Sequence, residues 1–156
     1  MGTAFHEIYD AVIAKIEDYT FAQMSDEDAY EILSDYLRPA IAKFTSRREA
    51  LANRDDHGFR FDLTDGDIEV LAGFMVVEYI DANYINIPSL LQQTLASKDF
   101  QVFSQANHLK GLLALRNSIL AQTKQLMRDL SYEDDAMFRR CEYKQGYRQF
   151  KNETGC

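Results

Sequence analysis

The chain has 156 residues and a formal net charge of -8. That length suits one domain, and a domain of this size buries enough surface to fold without disulfides or a structural metal. The acidic balance disfavours a broad electrostatic contact with a phosphate backbone, which argues against nucleic-acid binding through charge. An acidic surface would equally suit a protein that lets DNA pass without holding it.

The cysteines, Cys141 and Cys156, lie near the end of the chain and outside any metal-binding spacing. This placement favours free thiols in an intracellular protein. The N-terminal region has acidic residues among its apolar ones, so no signal peptide is expected. Because no apolar run is long enough to span a bilayer, we expect a soluble protein without a membrane partner.

The first part of the chain predicts two amphipathic helices. Apolar residues at helical spacing predict the first from Phe5 to Tyr19, with Thr3 as its N-cap. Ser25 followed by acidic residues predicts the start of the second helix, whose apolar pattern extends to Phe44. Pro39 lies inside this second pattern and predicts a kink or a break just before it.

Helical periodicity fades from Thr45 to Leu63. Turn-forming residues at 53–58 precede an alternating segment, Phe59-Arg60-Phe61-Asp62. We expect a surface excursion near residues 46–63, either a short hairpin or an extended loop. Its aromatic and cationic residues are also of the types that anchor interfaces.

A further helix is predicted to begin at the capping box Thr64-Asp65-Gly66-Asp67. Its apolar residues, from Ile68 to Ile80, occupy more than one face. Such a helix is buried either at the centre of the bundle or between the bundle and another subunit.

The acidic residues from Asp62 to Asp67 could also suggest a calcium loop. An EF-hand alignment, however, places Phe61, Leu63 and Ala72 where oxygen ligands are required. Helix capping therefore explains these acids better than metal binding.

The longest periodic stretch runs from Ala106 to Leu130, where apolar residues recur every three or four positions. We predict one long amphipathic helix there, about 36 Å in length. Other elements must pack along its apolar stripe. A short segment with aromatic residues, Ser97 to Phe103, precedes it.

After Leu130 the helical periodicity is lost, and an acidic cluster precedes aromatic residues interleaved with cations. This predicts a helical domain of residues 1–131 and an extended C-terminal arm of residues 132–156. Rings with cations are typical of single-strand nucleic-acid binders, but Tyr, Phe and Arg also anchor protein interfaces, and we favour an arm that orders on a protein partner. The arm residues expected to bind it are Phe138, Arg139, Arg140, Tyr143, Tyr147, Arg148 and Phe150.

No catalytic or cofactor-binding motif is recognisable. His6, His57 and His108 are isolated and lack partners at ligand spacing. His108 lies beside the helical stripe, where a structural or interface role is favoured over catalysis, and His57 belongs to a turn. We expect a protein that is not an enzyme and needs no cofactor. The predicted fold is an all-α small helical bundle with one long helix in its C-terminal half.

Residues 64–132 resemble a known family, the head-to-tail connector or neck adaptor proteins of tailed bacteriophages. One segment that supports the resemblance is DIEVLAGFMVVEY, from Asp67 to Tyr79. The more distinctive one is SKDFQVFSQANHLK, from Ser97 to Lys110, and the helix after it continues the likeness to Tyr132. The resemblance covers a little under half of the chain.

The resemblance implies a small helical subunit of the phage neck that is made in the cytoplasm of the bacterial host. Such subunits form a ring, commonly dodecameric, that joins the portal protein of the filled head to the next neck or tail protein. An arm engages the portal, and DNA passes through the ring without specific binding. We expect the segment with Phe100, Phe103 and His108 to form a subunit contact. A second hypothesis is a small acidic helical regulator or assembly chaperone that binds a single protein partner.

Overall fold

The computed structural model describes residues 2–16, 21, 23–85 and 99–153, with the side chains of the last range described from 107 to 134. The fold is all-α, as predicted. The chain also contains a 3₁₀ turn, Thr45–Arg47, and a π-helical segment, Asp81–Ile85. No helix in the described ranges is long and apolar enough to cross a bilayer. The α-helices are α1 Phe5–Lys15, α2 Asp26–Lys43, α3 Arg48–Ala52, α4 Asp65–Ile80 and α5 Asp99–Glu153.

Helix α4 lies at the centre of the bundle, and α1, α2 and α5 all pack against it. Nearly every residue from Val70 to Ile80 is buried. This burial follows from the sequence of α4, because its apolar residues occupy all sides of the helix. Of the two predicted positions, the centre of the bundle is therefore the observed one, and α4 needs no second subunit to cover it.

The apolar core is formed mainly by α1, α2 and α4. Full burial of one large apolar side chain contributes about 1.5–3 kcal/mol, so this set provides much of the driving force for folding. Helix α5 adds partly buried residues at the edge of the core, among them Ile119, Leu120 and Met127. The largest fully buried side chains are Phe44, Phe74, Ile8, Leu33, Leu51, Leu71, Met75, Val12, Val70 and Val77.

Two predicted helix starts are confirmed. Ser25 Oγ accepts the backbone N–H of Asp28 at 3.3 Å and caps α2. Thr64 caps α4 in a reciprocal box: its Oγ1 accepts the N–H of Asp67 at 3.2 Å, and the Asp67 carboxylate accepts the N–H of Thr64 at 3.2 Å. These bonds satisfy amide groups that have no acceptor inside the helix.

Helix α1 differs from the prediction at both ends. Its N-cap is Ala4, and Thr3 lies outside the helix. The Thr3 hydroxyl oxygen accepts the N–H of Leu63 at 2.7 Å, and Thr3 is buried, so this side chain serves a tertiary contact instead of a cap. The helix ends at Lys15 and not at Tyr19, because the backbone becomes extended at the next residue.

Helix α2 runs without interruption through Pro39, so the predicted break is not observed. Proline removes one helical hydrogen bond. Leu37, Ala40 and Ile41 on either side of it are buried against the core. Packing of these apolar residues keeps the helix continuous despite the missing bond.

The region from Thr45 to Leu63 contains more structure than the predicted surface excursion. It starts with the 3₁₀ turn and α3, so the chain remains helical where the periodicity fades. Leu51, Phe59 and Leu63 are all buried in the core. Phe59 therefore packs inside the subunit, and the proposal of an interface at Phe59-Arg60-Phe61 is weakened by this finding.

A tight turn follows α3, and it reduces the predicted hairpin to a single antiparallel bridge between Arg54 and Phe59. The Asp55 carboxylate accepts the backbone N–H groups of His57 and Gly58 at 2.9 and 3.1 Å. These two hydrogen bonds favour the charged carboxylate and lower the pKa of Asp55. The prediction that His57 belongs to a turn is confirmed.

Helix α5 is longer than predicted at both ends. It begins at Asp99, so Phe100 and Phe103 belong to the helix, and it continues past Leu130 to Glu153. A straight helix of this length is about 80 Å long. The prediction that helical structure ends at Leu130 is wrong: the arm continues the helix. Periodicity missed it because the acidic cluster Glu133-Asp134-Asp135 interrupts the apolar pattern, and the aromatic residues beyond it are interleaved with cations.

Helices α4 and α5 approach each other closely at Gly73 and Thr123. A Cβ atom added to Gly73 would lie 2.3 Å from Thr123 Oγ1, well inside contact distance. Thr123 is buried, and its hydroxyl donates to the carbonyl oxygen of Ile119 at 2.8 Å. The missing side chain at position 73 therefore permits the observed separation of the two helices.

We expect Gly73→Ala to lower the free energy of unfolding by about 1–3 kcal/mol, because the added methyl group pushes α4 and α5 apart. Gly111→Ala is the matched control, since an added Cβ there meets no atom within 4 Å. The control should raise stability by about 0.5–1 kcal/mol through helix propensity. Urea denaturation followed by circular dichroism measures both free energies of unfolding. Equal changes in the two variants would contradict the close approach of α4 and α5 at Gly73.

Asp67 combines a capping role with an ion pair. It is 3% exposed, and Arg47 Nε donates to its Oδ1 at 3.1 Å. We expect Asp67→Ala to lower the free energy of unfolding by about 1–3 kcal/mol, since it removes the cap bond and leaves the guanidinium without this acceptor. Asp65→Ala, at an exposed position in the same turn, should cost less than about 1 kcal/mol. Chemical denaturation measures both free energies of unfolding. Similar losses of unfolding free energy for the two variants would show that the burial of Asp67 does not add to stability.

Candidate interaction surface

Between residues 107 and 134, helix α5 packs one side against α4 and leaves most of its remaining surface exposed. From residue 107 to residue 134, Thr123 alone is buried. Contiguous exposed apolar side chains are typical of a protein interaction surface, and Leu115 and Leu126 lie on the same side of α5. Those on α5 are Leu109, Leu113, Leu115, Leu126 and Tyr132, of which Leu115 is 52% and Tyr132 69% exposed.

Two arginines attach α5 to the bundle. Arg116 donates to both carboxylate oxygens of Asp81, from Nε to Oδ1 at 2.9 Å and from Nη2 to Oδ2 at 2.7 Å. The hydrogen bond to Asp81 raises the pKa of Arg116. Near the other end, Arg47 Nη2 lies 2.7 Å from Asp134 Oδ2. The two attachment points are about 27 Å apart along the helix.

A groove runs along one side of α5, between this helix and the end of α1, and α4 forms its floor. It consists of two adjoining depressions of about 450 and 330 Å³, and Lys15, Val76 and Ile119 line both. Seven α5 residues line the groove, and six of them lie alternately four and three residues apart, which is the spacing of a coiled-coil seam. These six are His108, Leu112, Leu115, Ile119, Gln122 and Leu126, and the seventh is Thr123.

The groove therefore has the shape and the apolar character that suit a helix of a partner protein. Its rim is polar, because Lys15 Nζ lies 2.5 Å from Glu69 Oε2 on the α1 side. His108 lies at the other end, beside Tyr84 and Leu112, and is exposed. The expected place of His108 at the edge of the apolar stripe is thus observed, while its role in a subunit contact stays a prediction.

The side of α5 that faces away from the groove is basic. From Asn107 to Arg128 the sequence contains no Asp or Glu, although the whole chain has a net charge of -8. Lys110, Lys124 and Arg128 are exposed, and helical geometry places them within about 40° of one another around the axis. Among the described residues, none of these three cations forms an ion pair.

The remaining predicted site residues lie on the two end portions of α5. Phe100 and Phe103 lie in the first turns of α5, and their side chains are outside the described part. The same holds for Phe138, Arg139, Arg140, Tyr143, Tyr147, Arg148 and Phe150, which all lie on the helical backbone near the end of α5.

The described residues contain no group of three or more His, Cys, Asp or Glu side chains that could hold a metal ion. His6 is exposed on α1, and His57 lies in the turn after α3. Both are distant from His108 in the sequence. The features of α5 that suit contacts with other macromolecules are instead the apolar groove on one side and the cations on the other.

Comparison of the chain with protein-family models, curated proteins and solved structures finds no match.

Sequence reasoning missed both the groove and the basic side of α5. The groove needs the end of α1 beside α5, and these segments are far apart in the chain. A signal for it was present in the four-and-three spacing from His108 to Leu126, within the broader apolar stripe. The basic side could have been found from the absence of acidic residues between Asn107 and Arg128.

We expect Arg116→Met to lower the free energy of unfolding by about 1–3 kcal/mol, because Asp81 loses its charged hydrogen-bond donor. Amide hydrogen exchange should become faster at residues 81–85 and in the neighbouring turns of α5. Lys124→Met on the same helix is the control, and it should change stability by less than about 0.5 kcal/mol because Lys124 is exposed and forms no ion pair with the described residues. Unchanged exchange in the Arg116 variant would show that this ion pair does not attach α5.

Proposed function

We propose that the chain is a structural protein of the neck of a tailed bacteriophage. In this role it forms a ring that joins the portal vertex of the DNA-filled head to the next neck or tail component, around the DNA channel. The observation that carries the proposal is the sequence resemblance of residues 64–132, above all at Ser97 to Lys110. The protein would act in the virion, without a cofactor, as a component that is not an enzyme.

The position of the matched segments in the fold supports this proposal. Asp67 to Tyr79 forms most of α4, and Ser97 to Lys110 includes the start of α5. Among the described elements, these two helices pack on each other more extensively than any other pair. The resemblance thus involves the central packing unit of the subunit and the beginning of its long helix.

The length of α5 supports the proposal of an arm. Asp134 pairs with Arg47 of the bundle, and beyond it the helix continues for about five turns, or about 28 Å. A helix of that length can reach a partner without rearrangement of the core. The proposed portal-binding residues are the aromatic and cationic ones from Phe138 to Phe150.

The net charge of -8 suits a ring through which DNA passes without being held, since acidic surfaces repel phosphate. Small subunits of a ring also need surfaces for neighbours on two sides. Helix α5 supplies uncovered apolar and basic surface for that purpose.

A small acidic helical regulator or assembly chaperone is the second candidate. The groove beside α5 favours it, because a groove that accepts one apolar helix is a common way to recognise a single partner. The two candidates differ in location, since a ring subunit stays in the finished particle and a chaperone leaves it.

We expect a chain that ends at Asp134 to fold but to lose attachment to portal-containing heads. This truncation removes the proposed arm and keeps the ion pair between Arg47 and Asp134. Circular dichroism and thermal unfolding check the fold, and electron microscopy of heads mixed with protein checks attachment. A full-length variant with Phe138→Ala, Tyr143→Ala and Phe150→Ala keeps the helix length and should also attach poorly. Attachment of the truncated chain at the level of the full chain would refute the arm.

Mass spectrometry of purified virions separates the two candidates. The neck protein should be present in the finished particle in a fixed ratio to the portal protein. If the chain is made during infection but is absent from purified virions, the neck assignment is wrong and the chaperone hypothesis is favoured.

A further inference from the structure

We propose that the basic side of α5 binds the acidic side of α2 in a second copy of this chain. The basic face consists of Lys110, Lys124 and Arg128, and the acidic face of Glu27, Glu31 and Asp35. Such a contact fits the proposed ring, because each subunit of a ring binds the next through two different surfaces. The biological setting of the contact rests on the proposed function, whereas the two charged faces are features of the subunit itself.

The basic face has apolar neighbours that can supply affinity. Leu113 is 37% exposed and follows Lys110 by three residues, and Tyr132 is 69% exposed and follows Arg128 by one turn. Exposed ion pairs contribute little affinity each, whereas buried aromatic and aliphatic anchors contribute much more. The cations would then determine orientation and choice of partner, while Leu113 and Tyr132 become buried in the contact.

The acidic face occupies the outer side of α2. Every charged residue from Asp26 to Leu37 is acidic, and Glu27, Glu31 and Asp35 recur every four residues and are exposed. Acids in the first turn are explained by the helix dipole and by capping, but Glu31 and Asp35 lie beyond that turn. Within the described part of the chain, none of the three pairs with a cation.

The two faces cannot satisfy each other inside one subunit. Helices α2 and α5 each pack on α4, and neither packs extensively on the other. The opposite charges are therefore presented from different helices around the central one. A contact between two different surfaces of identical subunits is heterologous, and its repetition gives a closed ring or an open filament.

The choice between a second copy and nucleic acid as the occupant of the basic face rests on the acidic face of α2. The net charge of -8 opposes both occupants at longer range, so it does not select one of them. The subunit itself, however, presents an exposed acidic stripe, Glu27, Glu31 and Asp35, that forms no ion pair within the described part of the chain. We therefore assign the face to a neighbouring subunit.

Charge reversal tests the contact. One variant carries Lys110→Glu, Lys124→Glu and Arg128→Glu, and the other carries Glu27→Lys, Glu31→Lys and Asp35→Lys. All of these residues are exposed and the replacements are good helix formers, so both chains should fold, which circular dichroism verifies. The wild-type chain should associate with increasing concentration at low salt in sedimentation velocity, and added salt should weaken the association.

Each variant alone should associate at least about tenfold more weakly than the wild type, because like charges then meet. An equimolar mixture of the two should restore association, since every contact between unlike copies is again between opposite charges. Glu49→Lys, Asp56→Lys and Asp65→Lys together are the control for the α2 variant: they change three exposed acids elsewhere and raise the net charge by the same amount as that variant does. This control should not reduce association.

Three outcomes would overturn the proposal: a wild-type chain that stays monomeric up to its solubility limit, association that does not respond to salt, or a mixture without rescue. Binding of a random-sequence DNA duplex that depends on the three cations, with no self-association, would assign the face to nucleic acid and overturn it as well. Absence of the chain from virions, with charge rescue intact, would refute the neck assignment and leave the contact between copies standing.

Discussion

The structure depends on the burial of α4 on all of its sides. A helix that is apolar all round cannot remain at a surface, so three other helices are needed to cover it, and they come from both halves of the chain. This requirement brings α1 and α2 together with the much later α5. The closest approach is at Gly73, where the lack of a side chain lets Thr123 of α5 pack directly on the backbone of α4. The position of α5, and with it the groove and the basic face, follows from the covering of α4.

Local signals in the sequence predicted the parts of the fold that depend on neighbours in the chain. The Thr64 and Asp67 box and the Ser25 cap were found because each needs only residues three positions apart. Thr3 was misassigned because a hydroxyl before a helix usually caps it, and the N–H of Leu63 that it accepts comes from a distant part of the chain. Local propensity gives way to tertiary contacts at such positions.

The end of α5 illustrates a different limit of sequence patterns. Periodicity reports burial of one side of a helix, so it marks α5 only where the bundle covers it, up to about Leu130. Beyond that residue an acidic cluster interrupts the apolar pattern, although the backbone stays helical to Glu153. The predicted arm is compatible with this helix, since an arm can itself be helical.

The distribution of charge along the chain acquires a meaning once the helices are placed. A net charge of -8 predicts mutual repulsion of subunits at long range, which keeps free chains apart. The proposed contact of acids on α2 with cations on α5 would offset that repulsion locally and favour particular orientations of two copies. When each face of a copy binds a different neighbour, the contact is heterologous, and its repetition gives a ring or a filament. Ring formation would then depend on subunit concentration, because the local attraction between the two faces must exceed the long-range repulsion due to the net charge.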